Sequence, residues 1–96
     1  MKAKLKHTPG PWKISKLDRT VISPCNNEFD IADTWKHDRG KTKAQANARL
    51  IAAAPDMLEL LIASYLQLNP DGWQWLRDDI KTTIERATGL SIEEIL

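Results

Sequence analysis

The apolar residues of this 96-residue chain change period near residue 42, and that change bounds the fold class. Before it, apolar and polar side chains roughly alternate. The segment Trp12–Lys13–Ile14–Ser15–Lys16–Leu17 puts Trp12 and Ile14 on one face, as a strand does. Thr20–Val21–Ile22–Ser23 is a β-branched run and reads as a second strand. Glu28 to Trp35 reads as a third, with Phe29, Ile31 and Trp35 on one side and Asp33 among them. Asp18–Arg19 and Pro24–Cys25–Asn26–Asn27 carry turn chemistry between these runs. An antiparallel meander within residues 12–35 is the expectation.

After the change the period is helical. Thr42 and Gln45 have the spacing of a capping box, so a helix is expected from about Lys43, with Ala48, Ile51 and Ala52 on one stripe. Pro55 clashes one turn back and places a break at Ala54. A second helix over 56–68 carries Leu58, Leu61, Ile62, Tyr65 and Leu66 as its core face. Asp71 and Gln74 can cap a third over 72–88, with Trp73, Leu76, Ile80, Ile84 and Ala87 inward. Gly89 is a good stop, with Leu90 folding back over the end. Ser91 and Glu94 form a further capping box that opens a final turn. The fold class is therefore α+β: a three-stranded antiparallel β-meander followed by three α-helices and a short C-terminal turn of helix. One domain, 1–96, is expected, made of an extended arm over 1–11, a meander over 12–35 and a helical part over 43–96. Pro9–Gly10–Pro11 keeps the arm out of helix.

Several function classes lack support in these residues. No apolar run reaches the ~20 residues of a membrane span, and Met1–Lys6 has no apolar middle of the secretory kind. A single cysteine, Cys25, excludes an internal disulfide and fits a reducing cytoplasm. A cytoplasmic location and no membrane partner are expected. Cys25, His7 and His37 are too scattered for a structural zinc site. Cys25 as a nucleophile would need a base such as His37 beside it. The glycines are isolated, so no phosphate loop exists. Asp78–Asp79 point around a helix rather than together and read as a solvated face. No enzyme, metal or cofactor is expected.

What is unusual is charge and tryptophan. Residues 1–43 carry ten Lys/Arg against five Asp/Glu, and residues 44–96 carry four against eight. A basic first half could meet phosphates or an acidic protein; alternatively the halves attract each other or solvate separate faces. Of the four tryptophans, Trp12, Trp35 and Trp73 fall on predicted apolar faces and read as core. Trp75 lies about 200° around the helix from Trp73. It is expected outside, touching a partner or a second copy, or else partly covered by long Lys/Arg stems or by the C-terminal turn. Arg49 interrupts the apolar run Ala48–Ala54. It reads as a structural ion pair with an acid of the sheet ahead of a phosphate site.

Two longer motifs stand out: His7–Thr8–Pro9–Gly10–Pro11–Trp12, and Ala46–Asn47–Ala48–Arg49–Leu50–Ile51–Ala52–Ala53–Ala54–Pro55–Asp56–Met57–Leu58–Glu59–Leu60–Leu61 about 35 residues further on. In that order they resemble a family of small phage and prophage proteins with an "HTPGPW" opening and an "ANARLIAAAPELLEAL" helix. Ile84–Glu85–Arg86–Ala87–Thr88–Gly89 resembles the family's usual end. The resemblance implies a phage or prophage setting in a bacterial host. Because the two motifs travel together, His7 is expected beside the start of Asn47–Arg49, with Trp12 anchoring the arm; structural pinning is favoured over a shared site. The expected function is a non-catalytic binding protein acting on a host factor, most specifically an inhibitor of an anti-phage defence system, by occluding a protein surface or sequestering a signalling nucleotide. The alternative is a nucleic-acid-associated accessory protein that uses the basic first half. The candidate binding residues are His7, Trp12, Asn47, Arg49 and Trp75. A homodimer through residues 73–96 is expected, on apolar surface supplied by Trp75, Ile92, Ile95 and Leu96.

Overall fold

The computed structural model describes residues 5–25, 29–35 and 41–96. Residues 1–4 of the arm, Asn26, Asn27 and Glu28 of the predicted turn and third strand, and the charged loop with His37 lie outside the described residues. The chain forms two compact units, Thr8–Asp56 and Met57–Leu96 with the N-terminal residues up to His7.

The first unit holds the sheet. Strands β1 (Trp12–Ile14), β2 (Val21–Pro24) and β3 (Ala32–Asp33) pair antiparallel in the order β1-β2-β3. Trp12 faces Pro24 and Ile14 faces Ile22 across the first ladder, and Val21 faces Asp33 across the second. The meander is present, with shorter strands than the alternation predicts. The first ends at Ile14, and Leu17 is 99% exposed in the turn beyond it. The third is two residues long, leaving Phe29 exposed ahead of it and Trp35 52% exposed after it. Trp35 is thus not core. Asp33 explains why the strand stops there: its carboxylate accepts from the Trp35 N–H at 3.0 Å and from the Thr20 hydroxyl at 3.1 Å, turning the chain out of the ladder.

Helix α1 (Lys41–Ala52) packs across β1 and β2. It begins before Thr42, so Thr42 sits in its first turn and is not the N-cap. Ala44 and Ala48, one turn apart, are fully buried, whereas Ile51 and Ala52 are half-buried. Small methyls let the helix backbone come close, and a hydroxyl uses that closeness. Buried Thr34 donates to the Ala44 carbonyl at 2.6 Å. The helical run breaks at Ala53, one residue ahead of the predicted place, and α2 (Ala54–Gln67) begins there. Pro55 occupies its second position, where a missing N–H leaves no helix bond unmade.

The second unit is helical. Its buried cluster is Tyr65, Ile80, Ile84 and Ile92, with Leu58, Leu61, Ile62, Leu68, Leu76, Ile95 and Leu96 packed against it. Leu66 is exposed, contrary to the predicted face, and Leu68 packs in its stead. At ~100° per residue Leu68 lies nearer the centre of the Leu58–Leu61–Tyr65 stripe than Leu66 does. Helix α3 (Pro70–Thr88) is capped by Asn69, whose side chain accepts from the Asp71 N–H at 3.0 Å, so the cap falls two residues ahead of Asp71. Asp71, Gly72 and Trp73 are non-helical, Gly72 at φ 85°, and the regular helix starts after them. Trp73 therefore leaves the predicted stripe and stands 50% exposed. Ala87, in the last turn, is exposed as well. The Arg77 guanidinium stacks 3.9 Å from the Tyr65 ring centre and donates to its hydroxyl at 3.2 Å.

Gly89 ends α3 in the left-handed conformation at φ 72°, donating to the Glu85 carbonyl, as predicted. The Ser91–Glu94 capping box then opens α4 (Ile92–Ile95). The Glu85 carboxylate accepts from the Ile92 N–H at 2.8 Å and ties this turn back to α3. Ile92 is buried, and Ile95 and Leu96 pack on the cluster. These three residues are therefore committed to the chain's own core and do not supply the free apolar surface expected of them.

Candidate functional site

The motif His7–Trp12 folds as a tight local structure. The Trp12 indole N–H donates to the Thr8 carbonyl at 3.0 Å, and the Gly10–Pro11 peptide is cis. Trp12 itself is half-buried at the start of β1. Gly10 is held against buried Pro55: a Cβ at Gly10 would stand 2.7 Å from the Pro55 Cβ and 3.3 Å from its Cγ. Only glycine permits that approach. The two sequence motifs thus meet at Gly10 and Pro55, and their meeting is a packing contact. Thr8, Pro9, Gly10, Pro24 and Cys25 surround a shallow hollow of about 210 Å³ beside it. The Cys25 thiol is free and exposed.

Arg49 extends from the last turn of α1 and is exposed. It makes no ion pair among the described residues, so the expected structural pair with a sheet acid is not formed. Its charge instead sits where the helix dipole favours a cation. Asn47 is exposed on the same helix. Trp12, Asn47 and Arg49 belong to the sheet unit, His7 and Trp75 to the helical unit. Trp75 is 63% exposed, as its place on α3 predicts, and Asp78 and Asp79 share the solvated face of that helix.

Sequence reasoning missed the tip of the β1–β2 hairpin. Leu17 lies there wholly exposed between Lys16 and the Asp18–Arg19 turn. The tip is braced at Ser15, Leu17, Asp18, Thr20 and Val21. Ser15 N–H donates to the Val21 carbonyl at 2.9 Å, and the Leu17 N–H to the Ser15 hydroxyl at 3.2 Å. Asp18 accepts from the Val21 N–H through its carbonyl at 3.1 Å and from the Thr20 N–H and hydroxyl through its carboxylate at 3.0 and 2.7 Å. Ile14, Ser15, Lys16 and Arg19 line an open hollow of about 410 Å³ beneath it. An apolar side chain is thereby presented on a rigid, cationic support. The available signal was a leucine beside an Asp–Arg turn; alternation assigned it to a strand.

A family model described as Salmonella phage P22 protein Y8K6 matches residues 1–91. The chain belongs to that family. The match covers both motifs and every strand, and it establishes the phage setting that the motifs imply. No curated protein matches the chain, and no solved structure does. Among the described residues no group of three or more His, Cys, Asp or Glu could hold a metal ion. No single helix among them is long and apolar enough to cross a membrane.

Proposed function

We propose that this phage protein is a non-catalytic binding protein that acts in the cytoplasm of the bacterial host and inhibits an anti-phage defence system by occluding a protein surface. The observation that carries the reading is Leu17, 99% exposed on a hairpin tip whose backbone is fixed by hydrogen bonds on both sides. A single exposed leucine is ordinary on a protein surface; what singles out Leu17 is the hydrogen-bonded backbone that holds it there. A binding partner gains from that, because a preorganised loop loses little entropy on docking. Lys16 and Arg19 flank the leucine, so the partner presents an apolar pocket with an acidic rim. Sequestering a signalling nucleotide draws no support from the two hollows described above, since ligand sites bury most of their ligand and both are open.

The test is infection. The chain is expressed in host strains that each carry one defence system, and these are challenged with a phage that the system restricts. Plaquing should rise by an order of magnitude or more in one strain, and Leu17→Ser should abolish the rise while leaving the melting temperature unchanged. No rise in any strain, or full activity of Leu17→Ser, would count against the reading.

A second reading rests on the same hollow. Lys16 and Arg19 could contact phosphates of a nucleic acid. Binding to single-stranded DNA would then fall steeply with salt and would be lost in Lys16→Ala/Arg19→Ala while surviving Leu17→Ser.

A further inference from the structure

Independently of the hairpin, we infer that the outer face of α3 is a self-complementary surface on which a second copy of the chain docks antiparallel. Beyond Trp73 the helix is regular. Successive residues advance by about 100°, so Trp75, Asp79, Thr82 and Arg86 fall within about 60° of arc on one face. All four are exposed. Read from its N-terminal end, the stripe runs aromatic, acid, small residue, cation.

The order is what selects the partner. A second copy turned end for end about a twofold axis between Ile80 and Lys81 brings its Arg86 opposite Trp75, and its Trp75 opposite Arg86. A guanidinium over an indole is a favourable cation–π pair, and the symmetry makes it twice. The same guanidinium then lies about 6 Å along the axis from Asp79, within reach of that carboxylate. A parallel arrangement would set Asp79 directly against Asp79 and Arg86 against Arg86, whereas the antiparallel one offsets the two Asp79 residues by about 4.5 Å along the axis and gives each an Arg86 of the other copy.

The local bonding leaves these groups available. Gln74 donates to the Asp78 carboxylate at 2.6 Å, which occupies Asp78. Asp79 and Arg86 have no ion-pair partner among the described residues. Thr82 turns its hydroxyl back onto the Asp78 carbonyl at 3.0 Å, which leaves a short side chain beside Asp79 at the middle of the stripe, where two helices can approach. The C-terminal residues Ile92, Ile95 and Leu96 take no part, since they pack on the core of their own chain. One helix face is a small interface, so the dimer is weak, with a micromolar dissociation constant.

Sedimentation equilibrium from low micromolar to near-millimolar protein, with reductant to keep Cys25 from cross-linking, tests the inference. The wild-type mass should rise from one chain to two. Asp79→Arg and Arg86→Asp place like charges opposite each other in a homodimer, and each should weaken self-association by about tenfold or more. In an equimolar mixture of those two variants, one chain is cationic at both positions and the other acidic at both. Opposite charges then face each other at each pair, and a heterodimer should form that native mass spectrometry identifies. Trp75→Ala should also weaken association by about tenfold, without rescue by either variant. A wild-type mass of one chain across the series overturns the inference whatever the variants do. So does a mixture that stays monomeric while both variants keep the wild-type melting temperature.

Discussion

The helical unit buries Tyr65 of α2, Ile80 and Ile84 one turn apart on α3, and Ile92 of α4, large side chains packed round by leucines. Among its described residues the sheet unit has one large fully buried side chain, Ile22, and otherwise buries Pro24, Ala44, Ala48, Pro55, Thr20, Ser23 and Thr34. The helical unit is closed by apolar volume. The sheet unit is closed by close approach and by hydroxyls: Thr34 on the Ala44 carbonyl at 2.6 Å, Ser23 on the Asp30 carboxylate at 3.0 Å, Thr20 on Asp18 and Asp33. A small domain has little apolar surface to spend, and this chain concentrates it in one half. The other half keeps a stiff, polar framework from which loops such as the Leu17 tip project.

The largest effect that would test this contrast is a cavity in the helical unit. Ile84 is fully buried at the centre of its cluster. Ile84→Ala should cost about 2–5 kcal/mol, read as a lowered urea midpoint by circular dichroism. A loss below about 1 kcal/mol would mean that the surrounding leucines collapse into the space and that apolar volume is not what closes this unit.

The next effect belongs to the sheet unit and comes from adding an atom rather than removing some. Gly10→Ala sets a Cβ against the rigid Pro55 ring at the 2.7 Å separation. Overpacking of this kind costs about 1–3 kcal/mol. Unfolding by urea should show that loss, while a change on the helical surface such as Leu66→Ala should stay within about 0.5 kcal/mol. A Gly10→Ala protein as stable as the wild type would show that the glycine is there for something other than packing, and would return the His7–Trp12 motif to the list of binding sites.

The same contrast explains what could be read from the residues. Ile80, Ile84, Leu58 and Leu61 were legible because apolar volume repeats with the helix, and Gly89 and the Ser91–Glu94 box because cap chemistry is local. Trp73 was misplaced because Gly72 at φ 85° delays the regular helix until after Trp73, and a glycine's φ carries no periodic signal. Trp35 and Leu17 were misplaced because alternation continues past the points where Asp33 and Ser15 turn the chain with their side chains. Thr34 gave no sign of burial, since a threonine becomes core only through the carbonyl it meets. Of the candidate site residues, Trp75 is exposed as expected, although the angle was measured from Trp73, which stands outside the regular helix and is itself half exposed. The lack of an ion pair at Arg49 among the described residues and the Gly10–Pro55 contact were not legible, because both depend on tertiary neighbours.

The smallest effect concerns the seam where α4 is tied to the rest of the helical unit, and it is read by pH. The Ser91 backbone N–H, with the Ser91 hydroxyl and the charge of Lys6 adding to it, holds the Glu94 carboxyl below its ordinary value of 4.5. The Ser91 N–H and hydroxyl reach the same Glu94 oxygen at 3.1 and 3.0 Å. A carboxylate whose folded value is depressed binds protons more readily when unfolded. Its contribution is therefore fully present above 4.5 and is lost as the pH falls through the lower folded value. Amide hydrogen exchange at Ile92, Ile95 and Leu96 should accordingly show protection, corrected for intrinsic rates, that is constant near neutrality and declines below pH 4.5. Glu94→Gln keeps a hydrogen-bond acceptor and removes the titration, so its protection should start lower at neutral pH and lose the part of the acid decline that Glu94 causes. Ile84, deep in the cluster, should keep its protection over the same range in both proteins. If the two proteins declined in parallel, the capping box would not be what the acid melts, and the seam would be held by the packing of Ile92 and by the Glu85 carboxylate on its N–H.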